Sequence, residues 1–233
     1  MTTTQTNGLP ASAVAIVSGG LDSVTLAYHL VAQGTEVRML SFDYGQSHRR
    51  ELGCARKAAR DLGAWHRVLD LSQVGALLVG SALTDLSVPV PDGHYTDESM
   101  RATVVPNRNA LMLDVAVAVA ASTGCAGVAF GAHGGDHAIY PDCRPEFVAA
   151  FESAARLANA GFVPDEFRVW APFLELSKSD IVRLGAGYGV PFDRTWSCYR
   201  GGELHCGSCG TCTERREAFT VAGVPDPTAY AAA

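Results

Sequence analysis

Val14-Ala15-Ile16-Val17-Ser18-Gly19-Gly20-Leu21-Asp22-Ser23 is the stretch on which the fold turns. A short apolar run, suited to a buried strand, leads directly into two glycines and then into a segment, Leu21–Gln33, with the apolar spacing of a helix. Glycines let the chain turn tightly and bring bare backbone N–H groups up to an anion, and the following helix adds its positive N-terminal end. Ser18 and Ser23 add hydroxyl donors. The spacing is not that of the nucleotide-triphosphate loop ending in Gly-Lys-Ser/Thr, and the chain contains no Gly-x-Gly-x-x-Gly run, so kinase-like and dinucleotide readings lose their support. What remains is a pyrophosphate loop. Locally, an ordinary strand-to-helix turn with an Asp or Ser cap would look the same.

Outward from this junction, short apolar or β-branched runs alternate with helix-length segments. Val14–Val17, Glu36–Phe42, His66–Leu71, Gly127–Gly131 and Arg168–Ala171 read as strands. Leu21–Gln33, Ser47–Leu62, Asn107–Ser122 and Pro145–Ala160 read as the helices that cover them. The rhythm predicts an α/β doubly wound parallel sheet, in which ligands bind beyond the carboxyl ends of the strands. Ser18–Ser23, Phe42–Gln46, Gly131–Asp136 and Pro172–Lys178 all fall at such ends. Ser81–Pro106, with three prolines and a Pro-Asp-Gly turn, is longer than a simple connection and is expected to be a lid or binding loop.

At 233 residues and 48% hydrophobic composition the chain can bury one sizeable core. Its net charge of −6 argues against a broad grip on nucleic acid, which needs clustered Lys and Arg. The first twelve residues lack the basic start and apolar centre of a secretion signal and are expected to be a flexible tail. Ala110–Ala121, the most apolar stretch, is too short to cross a bilayer and contains Asp114. A cytoplasmic protein without a membrane partner is expected.

Seven cysteines are present, and Cys198, Cys206, Cys209 and Cys212 lie together, the last three as Cys-Gly-Ser-Cys-Gly-Thr-Cys. The glycines let the backbone fold tightly enough for the thiolates to face one centre, and four sulfurs close a tetrahedral zinc shell. A structural Zn²⁺ is the expectation; an iron–sulfur cluster uses the same ligands, and a redox dithiol does not need four. Cys54 and Cys125 read as small core residues.

Taken together, Ser18–Ser23, Asp43-Tyr44-Gly45-Gln46, Val105-Pro106-Asn107-Arg108-Asn109, Tyr140-Pro141-Asp142-Cys143-Arg144, Lys178-Ser179-Asp180-Ile181 and the four cysteines resemble the 7-cyano-7-deazaguanine synthase family. The first and the Lys178 motifs are shared with the wider ATP pyrophosphatases; the Tyr140–Arg144 run and the cysteine spacing narrow the match. The resemblance implies an ATP pyrophosphatase-like domain over residues 13–190 and a zinc-binding segment over 191–233. It also implies Mg²⁺, a homodimer, no direct nucleic-acid partner, and ATP-dependent conversion of 7-carboxy-7-deazaguanine and ammonia to the nitrile, releasing AMP and pyrophosphate. A carboxylate must first be activated as an acyl adenylate before ammonia can make the amide, and the amide oxygen must then be adenylated in turn to leave as AMP. The alternatives within this frame are a related tRNA thiolation or amidation enzyme, and a reaction that halts at the amide or passes the acyl group to a protein amine. Outside it, the cysteine segment could be a zinc module that binds nucleic acid or protein.

Under that resemblance, Ser18, Gly19, Gly20, Leu21, Asp22 and Ser23 hold the phosphates, with Asp22, Ser23, Arg108 and Lys178 acting in catalysis. Asp22 either holds Mg²⁺ or caps a helix. Lys178 follows Ser177, a good N-cap, and a cation at a helix start suits a phosphate ligand better than a surface lysine. Asp43, Gln46 and Gly131 are expected to line the nucleotide pocket. Arg108 would reach the phosphates or the substrate carboxylate, with a solvated first-turn residue as the alternative, Arg144 would face a carboxylate, and Asp142 would meet the amino group and ring N–H of the base. Cys143 is either a reactive thiol or a packing residue. His48, His133 and His137 are candidates for proton transfer, each with a structural role as the alternative.

Overall fold

Short apolar runs separated by helix-length segments become five parallel strands: β1 (Ser12–Ile16), β2 (Glu36–Asp43), β3 (Trp65–Asp70), β4 (Gly127–Ala129) and β5 (Arg168–Trp170). The computed structural model describes residues 9–85, 87–94, 101–137 and 140–231. The strand order is β3-β2-β1-β4-β5, with Ala15 opposite Met39 on one side of β1 and Val14 opposite Val128 on the other. The helices are α1 (Leu21–Ala32), α2 (Arg50–Asp61), α3 (Ser72–Gly75), α4 (Arg108–Thr123), α5 (Pro145–Ala158), α6 (Lys178–Gly187) and α7 (Gly210–Ala222).

The period of two along β1 and β2 divides the core. Ala15, Val17, Val37 and Met39 pack against α1, α2, α6 and α7, while Val14, Leu40 and Phe42 face α4 and its neighbours. Both faces of the sheet are therefore covered, which is why these strands read as continuous apolar runs rather than as alternating ones. Helix ends follow their local chemistry. Ser177 and Asp180 form a reciprocal capping box at the start of α6, and α4 and α7 stop at Gly124 and Gly223, whose φ values of 70° and 71° favour glycine.

Strand order reverses at β1, so the crevice between the carboxyl ends of β1 and β4 is the switch point of the sheet. Residues 9–12, expected to belong to the tail, are tied in: Thr35 Oγ1 donates to the Pro10 carbonyl, Glu36 N to Ala11, and Ser12 already pairs with Glu36. Residues 1–8 lie outside the described residues. The expected lid also lies partly outside them, at residue 86 and residues 95–100. Its described part is docked on the cysteine segment, with Gly93 N donating to Ser208 O and Arg200 paired to Asp92 at 2.8 Å. The α7 helix has no strong apolar period in its sequence. No helix among the described residues is long and apolar enough to cross a membrane.

Candidate active site at the sheet switch point

The turn after β1 closes on itself through its serines. Ser18 and Ser23 hydroxyls lie 3.1 Å apart, Gly19 N donates to Ser23 Oγ at 3.2 Å, and Gly20 N donates to Ser18 Oγ at 3.3 Å. Gly20 is the N-cap of α1 and no side chain caps that helix. An uncapped helix start leaves first-turn N–H groups aimed at the crevice, the arrangement that binds anions. Gly19 is required sterically: its φ is 103°, and a Cβ there would lie 2.0 Å from the Glu51 carbonyl on the first turn of α2. The loop is thus pressed against α2 on one side. On the other, Trp196 N donates to Gly19 O at 2.9 Å.

Lys178 opens α6 and points into the same crevice. Its ammonium lies 2.6 Å from Glu214 Oε2 and 3.5 Å from Asp22 Oδ2. Burial opposes the charge, but Asp22, Glu214 and Asp136 outweigh it and push the pKa up, so the cation persists. Asp22 Oδ1 is buried without a hydrogen-bond partner among the described residues, a polar atom left for something else to satisfy.

Arg108 enters from the opposite wall. Asn107, its helix N-cap, sits at φ 61°, a left-handed conformation that asparagine tolerates better than most residues, and this aims the first turn of α4 at the cavity. The guanidinium donates to Tyr44 Oη at 3.4 Å, and no carboxylate ion-pairs with it among the described residues. The side chain is half-buried, so a guanidinium without a carboxylate partner is left open on its cavity side to an anionic ligand. Tyr44, Tyr140 and Tyr199 line the cavity beside it.

The C-terminal segment builds the third wall. Cys198, Cys206, Cys209 and Cys212 bring their sulfurs within 4.8 Å of one another, and the Cys206 and Cys212 sulfurs are 3.9 Å apart. Zinc–sulfur bonds of about 2.3 Å in a tetrahedron give a sulfur–sulfur edge of about 3.8 Å, so the donor set fits a single ion. Hydrogen bonds from Cys198 and Cys212 lower the pKa of the Cys209 thiol. Cys209 caps α7 and Cys212 lies on its first turn, so the thiols fix the start of the helix whose Thr211, Glu214 and Arg215 face the cavity. Arg215 is fully buried, donating to Thr195, Ser197, Thr228 and the Phe192 carbonyl, and it braces the wall from behind.

Of the residues expected at the site, Ser18, Gly20, Leu21, Asp22, Ser23, Arg108, Gly131 and Lys178 line this one cavity, and Gly19 packs behind it. Asp43, Gln46, Asp142 and Arg144 do not line it. Asp43 accepts from Gly45 N and pairs with Arg49; Gln46 is wholly buried, donating to the Phe42 carbonyl and to Glu51 and accepting from Tyr44 N. Asp142 accepts from Asn109 N and so braces the helix that carries Arg108. Arg144 is exposed and donates to His137 O. Their polar atoms are engaged in shaping loops. Cys143 does face the cavity, but burial, with Asp136 and Asp142, pushes its thiol well above the usual range, which favours a packing role over a reactive one. His133 Nδ1 accepts from Gly135 N, a structural role.

The residues missed at the site are Glu51, Trp196, Ser197, Tyr199, Thr211, Glu214 and Arg215. Six of the seven belong to the cysteine segment, where their signal was masked by the thiols. Glu51 had none, since a carboxylate in a helix of mixed charge looks solvated.

The architecture is that of an adenine nucleotide alpha hydrolase-like protein: a doubly wound parallel sheet with an uncapped helix at its switch point. Among solved structures the chain shares this fold with an NMN synthetase from Francisella tularensis, at TM-score 0.53 and 15% identity over 94% of this chain and 80% of that one. It also shares it with the U34-tRNA thiolase NcsA from Methanococcus maripaludis, at TM-score 0.50 and 14% identity over 91% and 65%. Within that class the chain belongs to the QueC family, "Queuosine biosynthesis protein QueC", whose model matches residues 12–223. It is 57% identical over 217 residues to the 7-cyano-7-deazaguanine synthase of Paracoccus denitrificans, covering 93% of this chain and 92% of that protein. It is 54% identical to 7-cyano-7-deazaguanine synthase 1 of Mesorhizobium japonicum over 219 residues, 94% of this chain and 93% of that one.

Proposed function

We propose that the chain is an ATP-dependent carbon–nitrogen ligase that converts 7-carboxy-7-deazaguanine and ammonia to 7-cyano-7-deazaguanine. The observation that carries this reading is Arg108, a half-buried guanidinium without a carboxylate partner among the described residues, in the same cavity as the Ser18–Ser23 turn. It supplies a counter-charge for a carboxylate substrate within reach of bound ATP. Family membership and the relatives' names point the same way, against a tRNA thiolation or amidation role.

The geometry supports a role for each residue. First-turn N–H groups of α1 and the Ser18 and Ser23 hydroxyls hold the phosphates. Arg108 orients the substrate carboxylate toward the α-phosphate, and Tyr44, Tyr140 and Tyr199 give the planar base an aromatic wall. Lys178 exchanges its carboxylate partners for the departing pyrophosphate, whose developing charge it stabilises. The same constellation serves twice, first for the acid and then for the amide.

Asp22, with its unpartnered oxygen, would hold Mg²⁺, which supplies charge neutralisation on the phosphates. Cys198, Cys206, Cys209 and Cys212 would hold Zn²⁺ in a closed shell with no open position, so its contribution is to order the wall. A four-iron cluster places thiolates on separate irons and would hold the sulfurs farther apart. A homodimer and a cytoplasmic location belong to the same reading and rest on the family resemblance alone.

Mass spectrometry of a reaction with 7-carboxy-7-deazaguanine, ammonium, Mg²⁺ and ATP tests the proposal. Nitrile with AMP and pyrophosphate is expected. Accumulation of amide alone, or no consumption of the acid, defeats it.

A further inference from the structure

The phosphate loop, Lys178 and Arg108 all stabilise negative charge, and none of them is suited to take a proton. Making a nitrile nevertheless requires nitrogen to lose protons. Ammonia arriving at an acyl adenylate brings its own lone pair, and the proton it sheds can pass to solvent. The last step differs, because no nucleophile arrives: C–O cleavage is driven only by loss of an N–H proton, so a base at nitrogen is needed there.

Glu51 is the carboxylate placed for this. It lies on the first turn of α2, whose Glu51 carbonyl packs against Gly19 of the phosphate loop, and it lines the cavity while only 7% exposed. Oε1 accepts from Gln46 Nε2 at 3.1 Å and lies 3.5 Å from His48 Nε2; Oε2 has no partner among the described residues. Gln46 is itself locked by the Phe42 carbonyl and Tyr44 N, so the carboxylate is held by a rigid neighbour and keeps one oxygen for a ligand.

We propose that Glu51 is the general base of the dehydration step, accepting the final N–H proton of the adenylated amide as AMP departs. This rests on the reaction assigned above. Once the amide oxygen has attacked the α-phosphate and pyrophosphate has left, loss of one N–H proton gives a neutral imidate bearing O–AMP. Glu51 then removes the remaining N–H proton. The N–H pair becomes the third C–N bond, the C–O pair leaves on the phosphate oxygen of AMP, and the carboxylic acid returns its proton to solvent when products depart.

Burial raises the Glu51 carboxyl to about 7, against the Gln46 hydrogen bond and Arg108, which suits a base working near neutral pH. The groups facing it are His48 from its own segment, Tyr44 from the end of β2, Arg108 from α4 and the Cys54 thiol one turn on; the Tyr199 ring of the cysteine segment lies tilted against His48 with ring centroids 5.1 Å apart. Burial pushes His48 down to about 3, so it is neutral and does not compete for the charge.

Glu51→Gln keeps the shape and the Gln46 contact while removing the base. With 7-carboxy-7-deazaguanine, ammonium and ATP, this variant is expected still to consume the acid and to stall at the O-adenylated amide, which water returns to amide and AMP, so that amide accumulates in place of nitrile. Given the amide and ATP directly, it is expected to form nitrile about 100-fold more slowly or worse. Nitrile formation from the amide at the parent rate overturns the proposal, as does an equal slowing of acid consumption and amide consumption. Should Glu51→Gln fail to fold, Glu51→Asp draws the carboxylate back by one methylene, and the same partition toward amide is expected. If the parent protein consumes neither acid nor amide, the assigned reaction fails first and the role of Glu51 falls with it.

Discussion

Two walls of the cavity are built by different physics. The wall formed by the β1–α1 turn, the loop after β4 and the start of α6 is made of local pieces: glycines, caps and helix ends whose positions follow from strands in a parallel sheet. The wall formed by Trp196–Arg215 has no strand behind it. It is held by four thiols converging within 4.8 Å and by a few long-range bonds, Trp196 N to Gly19 O and Lys178 to Glu214 among them. The first wall places the uncapped start of α1 and the Lys178 ammonium on the rigid sheet. The second is drawn together at four convergent thiols, a donor set that could hold a metal ion, and meets the first through those bonds.

The comparison breaks most directly at Lys178. Lys178→Gln is expected to lower pyrophosphate release by about a hundred- to a thousandfold while the far-ultraviolet circular dichroism stays unchanged, because the sheet wall does not depend on that ion pair for its shape. Parent-like turnover would remove Lys178 from the chemistry. Cys212→Ser attacks the other wall: metal content is expected to fall below one per chain and the melting temperature to fall by on the order of 10 °C, with weaker ATP binding measured by calorimetry. Loss of metal with undiminished ATP affinity would show that the two walls are independent.

A gentler probe is acid. The buried neutral His48 has a folded-state pKa near 3 against an unfolded 6.5, so its stabilising contribution is fully present above pH 6.5 and is lost as pH falls toward 3. Its share of that loss is up to about 1.4 kcal/mol per pH unit. Denaturant titrations from pH 7 to 4 should show this slope in the parent chain and a shallower one in His48→Gln; identical slopes would place the acid sensitivity elsewhere. The smallest effect is expected at Arg144. Because that side chain is exposed and does not line the cavity, Arg144→Ala should change kcat/KM within about twofold. A hundredfold loss would return Arg144 to the substrate site where the sequence pattern had put it.

The contrast between the walls also explains what could be read in advance. The Val14–Ser23 junction, the parallel rhythm, the Ser177 cap before Lys178 and the four-cysteine set are all short-range patterns, and each appears as expected. Asp43, Gln46, Asp142 and Arg144 sit in equally suggestive motifs, but a motif does not say which way a side chain turns. These four spend their polar groups on Gly45, Glu51, Asn109 and His137. Glu214 sits among charges of both signs and nothing local marks it, yet α7 carries it to Lys178, 36 positions away in sequence.

The sequence by itself determined the sheet, the tight Gly-Gly turn after β1 and the convergence of the four cysteines, because hydrophobic period, glycine freedom and thiol spacing act over a few residues. Only the tertiary structure decided that the cysteine segment is a wall of the same cavity, that Arg108 lacks a carboxylate partner among the described residues and that Glu51 is buried beside Gly19. Each of those depends on which distant residues exclude water from a charge, and that exclusion exists only once the chain has folded.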